Sequence, residues 1–172
     1  MAVEYLKNIE RAGDIFKDTC ITFGVFDGFH KGHKFEVNSC IEQAKSLNLK
    51  SKILTFDIDP DEIFIDDFKK LQSNNNRIKT LENSGVDSVV VIEFLKIQNL
   101  NAEDFLNNIF KHIPPFSVHV GTNFYFGNNK SGDSQFLKQW GKKHNMQVII
   151  HDLIKDNHKN IYSSTNIRKG II

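Results

Sequence analysis

A doubly wound parallel α/β sheet in a single domain is the fold this sequence predicts, and three observations lead there. Short apolar segments rich in strand-forming residues alternate with segments whose apolar residues recur at helical spacing. The 172 residues, 40% of them hydrophobic, suffice for one core and fall short of two, so residues 1–172 read as one domain. The chain has no repeat, no low-complexity block and no linker rich in Pro, Gly or Ser; the polar stretch at residues 73–76 is the nearest candidate loop.

Taken in order, residues 20–26 are apolar and strand-forming, and Phe35, Val37, Cys40, Ile41, Ala44 and Leu47 then follow helical spacing. A strand, a tight turn and a helix therefore open the core. Residues 51–56 form a second strand, residues 77–84 a short helix ended by Gly85, and residues 86–94 a third strand. Asn101 caps a helix carrying Phe105, Leu106, Ile109 and Phe110. Residues 116–121 supply a fourth strand, a helix runs through Phe136, Leu137 and Trp140, and residues 146–153 complete a fifth strand. Strands separated by helices pair in parallel, which gives a Rossmann-like sheet. Such sheets bind ligands beyond the carboxyl ends of their strands, where the strand order switches. The chemistry is therefore expected in the polar or Gly-rich loops at residues 24–33, 121–133 and 163–168.

Charge narrows the partners. With 22 Lys plus Arg against 21 Asp plus Glu, the chain has no excess of positive charge to hold a phosphate polymer or an anionic bilayer, so neither nucleic acid nor membrane is expected. Glu4, Lys7, Glu10 and Arg11 interrupt the start, which leaves no apolar stretch for a signal peptide, and a cytoplasmic location is expected. Cys20 and Cys40 lie inside apolar patterns and suit small buried hydrophobes. His112, His119, His144, His151 and His158 share no motif and are expected at the surface or satisfied in the core.

The first loop reads G-V-F-D-G-F-H-K-G-H from Gly24 to His33. Its glycines allow a tight turn and a close approach to a ligand. His30 and His33, three apart at a helix start, add imidazole donors to the free N–H groups there, an arrangement that favours phosphate. Ser164 or Thr165 caps a last helix, with Arg168 about one turn in, and the forked charge of Arg168 suits the same anion. Asn123 offers a donor and an acceptor side by side, with Phe124 and Phe126 alternating next to it.

These stretches resemble the G-x-F-D-G-x-H-x-G-H signature, the flavin-side loop and the S-S-T-x-I-R motif of bacterial FAD synthetases, members of the nucleotidylyltransferase superfamily. The second match is V-G-T-N-F-Y-F-G from Val120 to Gly127 with Ser131, Gly132 and Asp133, and the third is S-S-T-N-I-R from Ser163 to Arg168. The resemblance covers nearly the whole chain, and it implies transfer of AMP from ATP to the phosphate of FMN with magnesium, giving FAD and pyrophosphate. By it His30, His33 and Arg168 are the catalytic cations and donors. Gly24, Phe26, Asp27, Gly28, Gly32, Ser163, Ser164 and Thr165 join them around ATP, with Asp27 alternatively bracing the turn. Asn123, Phe126, Phe64 and Pro60 fall to the flavin. The common members carry a riboflavin kinase module after the last motif, whereas this chain ends at Ile172, so no kinase activity is expected.

Two positions depart from the family pattern. Ile58-Asp59-Pro60 stands where the family has P-H-P, which either weakens attraction for phosphate or supplies a carboxylate for hydrated magnesium, and Arg77 stands where Lys is common. The sequence singles out no metal ligand and no oligomeric state. A cytidylyltransferase acting on a small phosphorylated alcohol, or a non-catalytic flavin or nucleotide binder, shares part of the same motif set.

Overall fold

The computed structural model describes residues 2–171. In chain order its strands are β1 (Ala2–Leu6), β2 (Thr19–Phe23), β3 (Lys50–Phe56), β4 (Ser88–Ile92), β5 (Ser117–Gly121), β6 (Tyr125–Phe126), β7 (Gly132–Asp133) and β8 (Gln147–His151). Its α-helices are α1 (Lys31–Leu47), α2 (Asp61–Phe64), α3 (Asn74–Glu82), α4 (Phe94–Ile97), α5 (Ala102–Ile109), α6 (Ser134–Lys143) and α7 (Ser164–Arg168). Six strands form one parallel sheet in the order β1-β4-β3-β2-β5-β8, and β6 pairs antiparallel with β7. The order runs outward from β2 through β3 and β4, then restarts with β5 on the other side of β2. The switch therefore lies between β2 and β5.

Both faces of the sheet are covered, which explains why β2 and β4 are buried at every residue. Val37 and Ile41 of α1 and Leu81 of α3 pack on Ile53, Val89 and Val91. The opposite face, with Phe23, Leu54 and Ile92, lies under Phe105 and Leu106 of α5 and Leu137 of α6. Helix α1 is stabilised by that packing more than by propensity, since its outer face is polar. The expected caps and cysteines are found: Asn101 accepts the Asp104 N–H at 2.8 Å, and Cys20 and Cys40 are free and buried. Among the described residues no helix is long and apolar enough to cross a membrane.

Several boundaries differ from the expectation. The sheet has a sixth parallel strand, β1, that periodicity did not reveal. It is an edge strand, so Tyr5 is 65% exposed and Glu4 turns to Lys52 and Ser88, breaking the apolar run. The strand expected over 20–26 ends at Phe23, because Phe26 adopts a left-handed φ of 62° and turns the chain. The strand expected over 86–94 ends at Ile92, where Asp57 accepts the Phe94 N–H and starts α4. The helix expected from Arg77 begins at Asn74 instead, because Ser73 caps it by accepting the Asn76 N–H.

Candidate active site

The loop at 24–33 leaves β2 and enters α1 at the switch. Gly28 has φ 83°, and a Cβ there would lie 2.5 Å from Leu71 Cδ1, so only glycine fits. His30 is the N-cap of α1: its Nδ1 accepts the N–H groups of Gly32 at 3.1 Å and His33 at 3.3 Å. This corrects the expectation of free helix N–H groups beside two imidazoles. The cap occupies two of those groups and leaves the ring proton on Nε2, facing away from the helix. The His33 ring stacks on His30 at 3.6 Å and meets the edge of Phe26 at 5.2 Å. Phe26 is 4% exposed and belongs to the core beneath His33, so its ring supports the site and does not line it. Burial pulls His30 down to about 4; burial and the neighbouring His30 pull His33 well below the usual 6.5. Both rings are neutral at pH 7, and His33 Nδ1 is buried without a hydrogen-bond partner among the described residues.

Asp27 gathers the rest of the polar side. Its carboxylate accepts the N–H groups of Leu71 at 2.9 Å and Gln72 at 3.0 Å, and takes Arg168 Nη2 at 2.5 Å. Gln72 returns the contact by accepting the Gly28 N–H. Arg168 also donates from Nε to the Lys69 carbonyl at 2.7 Å, and its guanidinium lies 4.4 Å over the Phe68 ring. Residues 68–72 are thus a strap between the first loop and α7. Asp27 therefore braces the turn, the second of the two roles open to it. The cap of α7 is Ser163, which accepts the Asn166 N–H at 3.0 Å, instead of Ser164 or Thr165. Ser164 is free to donate to the Asp27 carbonyl at 2.6 Å, and Thr165 is exposed.

Arg77 is 1% exposed and ties the loops after β2 and β3 together. It donates to the carbonyls of Val25 and Phe56 at 3.0 and 2.7 Å and to Thr55 Oγ1 at 2.9 Å. Asp59, also buried, accepts the Asp61 N–H at 3.0 Å. Burial pushes its carboxyl up to about 6, against the pull of that N–H and the more distant Arg77 charge. Both departures from the family pattern are thereby taken into internal structure. Among the described residues no three His, Cys, Asp or Glu side chains cluster as a metal site.

The aromatic side follows β5, the neighbour of β2. Asn123 is exposed, and its Oδ1 lies 3.2 Å from the point a Cβ on Gly121 would occupy. Phe124 and Phe126 stack on each other at 5.6 Å and lean on Phe23. Phe126, expected to face a ligand, is 4% exposed: the short β6–β7 pairing turns it inward against Phe105. Phe64 is the open ring, 64% exposed at the end of α2, with its edge on Phe94 at 5.9 Å. Pro60, half-buried, starts α2. The 24–33 loop after β2 and α7 are thus joined through Asp27, while Pro60 and Phe64 follow β3 and Asn123 follows β5. The strap and the anchoring role of Arg77 were not foreseen.

The fold is shared with solved structures. A protein named as a macrolide-efflux protein from Streptococcus pneumoniae superposes with TM-score 0.79 at 24% identity, covering 98% of this chain and 57% of that one. A pantothenate synthetase from Thermus thermophilus superposes with TM-score 0.63 at 10% identity, covering 97% of this chain and 67% of that one. Among curated proteins, the bifunctional riboflavin kinase/FMN adenylyltransferase of Buchnera aphidicola subsp. Schizaphis graminum is 29% identical over 177 residues, covering 99% of this chain and 56% of the relative. The chain spans about half the length of the curated relatives it matches. With the FAD synthetase family model matching residues 13–166, the chain belongs to the FAD synthetase family.

Proposed function

We propose that this domain transfers AMP from ATP to FMN. An oxygen of the FMN phosphate attacks the α-phosphorus of ATP in line, the bond from that phosphorus to the bridging oxygen of the β-phosphate breaks, and FAD and pyrophosphate form. The observation that carries this reading is the convergence of the His30–His33 stack and the Arg168 guanidinium on one Gly-rich loop in a member of this family. The names of the curated relatives, which include FMN adenylyltransferase, support it.

Because the FMN phosphate is the nucleophile, no protein nucleophile is needed. The protein's task is to align two anions and stabilise the charge that builds on pyrophosphate. Magnesium brought in with ATP would neutralise part of the phosphate charge. His30 offers Nε2–H to the triphosphate while its Nδ1 keeps the cap, and His33 stacks beside it. Arg168 supplies fixed charge, aimed by Asp27, Lys69 and Phe68. Gly24, Gly28 and Gly32 keep the backbone close to the nucleotide, Ser163 and Ser164 hold α7 against that loop, and Thr165 stands exposed at its start. Asn123 addresses the imide edge of the flavin, Phe64 beside Pro60 offers a stacking face, and Phe126 backs Phe124 from the core.

The bond from the Asp61 N–H to Asp59 gives that carboxyl a structural partner. The test is chromatography of MgATP with FMN. Formation of FAD with equimolar pyrophosphate is expected. No FAD from folded protein, or turnover of CTP with a small phosphorylated alcohol in its place, would contradict the proposal.

A further inference from the structure

Glu36 is a carboxylic acid on an otherwise apolar face. It lies three residues beyond His33 on α1, 7% exposed, on the face that buries Val37, Cys40, Ile41 and Ala44. Its Oε2 accepts the Thr22 hydroxyl of β2 at 2.5 Å. Its Oε1 lies 3.5 Å from the point a Cβ on Gly121 would occupy, the same point that Asn123 Oδ1 approaches to 3.2 Å. One side chain thus stands on the helix that follows His30, bonds to the strand before it, and approaches Gly121 at the end of β5, from which the Asn123 loop leaves. It does so at the switch between β2 and β5.

Among the described residues no cation pairs with it. The titratable groups on the surfaces that meet there are Cys40 on its own helix, Cys20 on β2, and His119 on β5, which pairs in register with Thr22. His151 of β8 stands behind His119, bonded to it at 2.9 Å, and burial holds both imidazoles below their usual value. An ionised carboxylate would have neither water nor a counter-charge. Burial pushes the Glu36 carboxyl up to about 8, with the Thr22 hydroxyl pulling the other way.

We propose that Glu36 is a positioning residue: as the neutral acid it holds α1, and with it His30 and His33, in register with β2 and the Asn123 loop, and its ionisation releases that register. The kinetic part of this proposal rests on the adenylyl-transfer reading; the structural part does not.

The experiment compares wild type, Glu36→Gln and Thr22→Val from pH 5 to 9 by two readouts, the thermal midpoint without nucleotide and kcat/KM for MgATP in FAD formation. A carboxyl raised on folding contributes stability that is complete below its unfolded value near 4.5 and is lost as pH rises through the folded value near 8. Wild type should therefore lose thermal midpoint over that window relative to Glu36→Gln, which keeps an acceptor and a donor and does not titrate. Above pH 8 the wild-type kcat/KM should fall about tenfold per unit while Glu36→Gln retains its value. Thr22→Val, which removes the bond favouring the charged form, should move the alkaline limb to higher pH, a check independent of whether Glu36→Gln folds. Parallel midpoint curves for wild type and Glu36→Gln, or an unmoved limb in Thr22→Val, would overturn the proposal. If no variant forms FAD at any pH, the adenylyl-transfer reading fails, and the midpoint curves still decide the role of Glu36.

Discussion

The two sides of the proposed site are built by different means. On the phosphate side nearly every polar group is engaged by another: Asp27 with Arg168 and two backbone N–H groups, His30 with its own helix, and Arg77 with two carbonyls and a hydroxyl. On the side proposed for the flavin the parts are rings, with Phe23, Phe124 and Phe126 in mutual contact, Phe64 standing open and Asn123 exposed. Directional bonds to charged groups fail as a unit when one member goes, because the partner is left buried and unpaired. Ring packing degrades by degrees and tolerates swaps of similar volume. The difference suits adenylyl transfer, where the reacting phosphates need fixed geometry and the distant ring system needs affinity.

The largest break should come at Arg77. Arg77→Lys keeps the charge and loses the fork that spans Val25, Thr55 and Phe56, and urea unfolding should report about 3 kcal/mol of lost stability. By contrast, Phe126→Leu should lose only about 1–1.5 kcal/mol in the same assay. Similar losses for the two would erase the distinction. Next, Arg168→Ala should lower kcat for FAD formation about 10²–10³-fold with little change in the FMN KM, the loss expected for one donor to developing charge. On the other side, Asn123→Ala should raise the FMN KM about tenfold, equivalent to about 1.4 kcal/mol, and leave the thermal midpoint unchanged. Phe64→Ala should raise it about threefold, within the range of one stacking contact.

The smallest effect concerns acid. The lowered value of His30 means that its contribution to stability is present above the usual 6.5 and is lost as pH falls through about 4. His30→Asn keeps a capping acceptor and does not titrate, so its thermal midpoint should fall less between pH 6.5 and 4 than that of wild type. An identical fall would mean that His30 is not buried as described.

Which features could be read from the chain depended on how local their causes are. Helices α1 and α5 and strands β2 to β5 carry their own apolar periodicity, and Asn101 announces its cap. Strand β1 carries Glu4 and an exposed Tyr5 because only part of an edge strand is buried, so it lacks the pattern of its neighbours. The site motifs were local as well, each being a short run next to a strand or helix end. What the runs could not announce was their joining. Asp27 and Arg168 are 141 positions apart, and Arg77 reaches Thr55 across 22, so neither pairing leaves a local signal. The family resemblance and the alternation of Phe124 with Phe126 both put Phe126 toward a ligand; the two-residue pairing of β6 with β7 turns it into the core.

The most direct test of the account follows FAD and pyrophosphate in one chromatographic assay of MgATP with varied FMN, run on wild type beside Arg168→Ala. Wild type should give equimolar products, and the variant a kcat lowered at least about a hundredfold at an FMN KM within about twofold of wild type. A normal kcat with a raised FMN KM would place Arg168 with the flavin instead of the reacting phosphates and contradict the account.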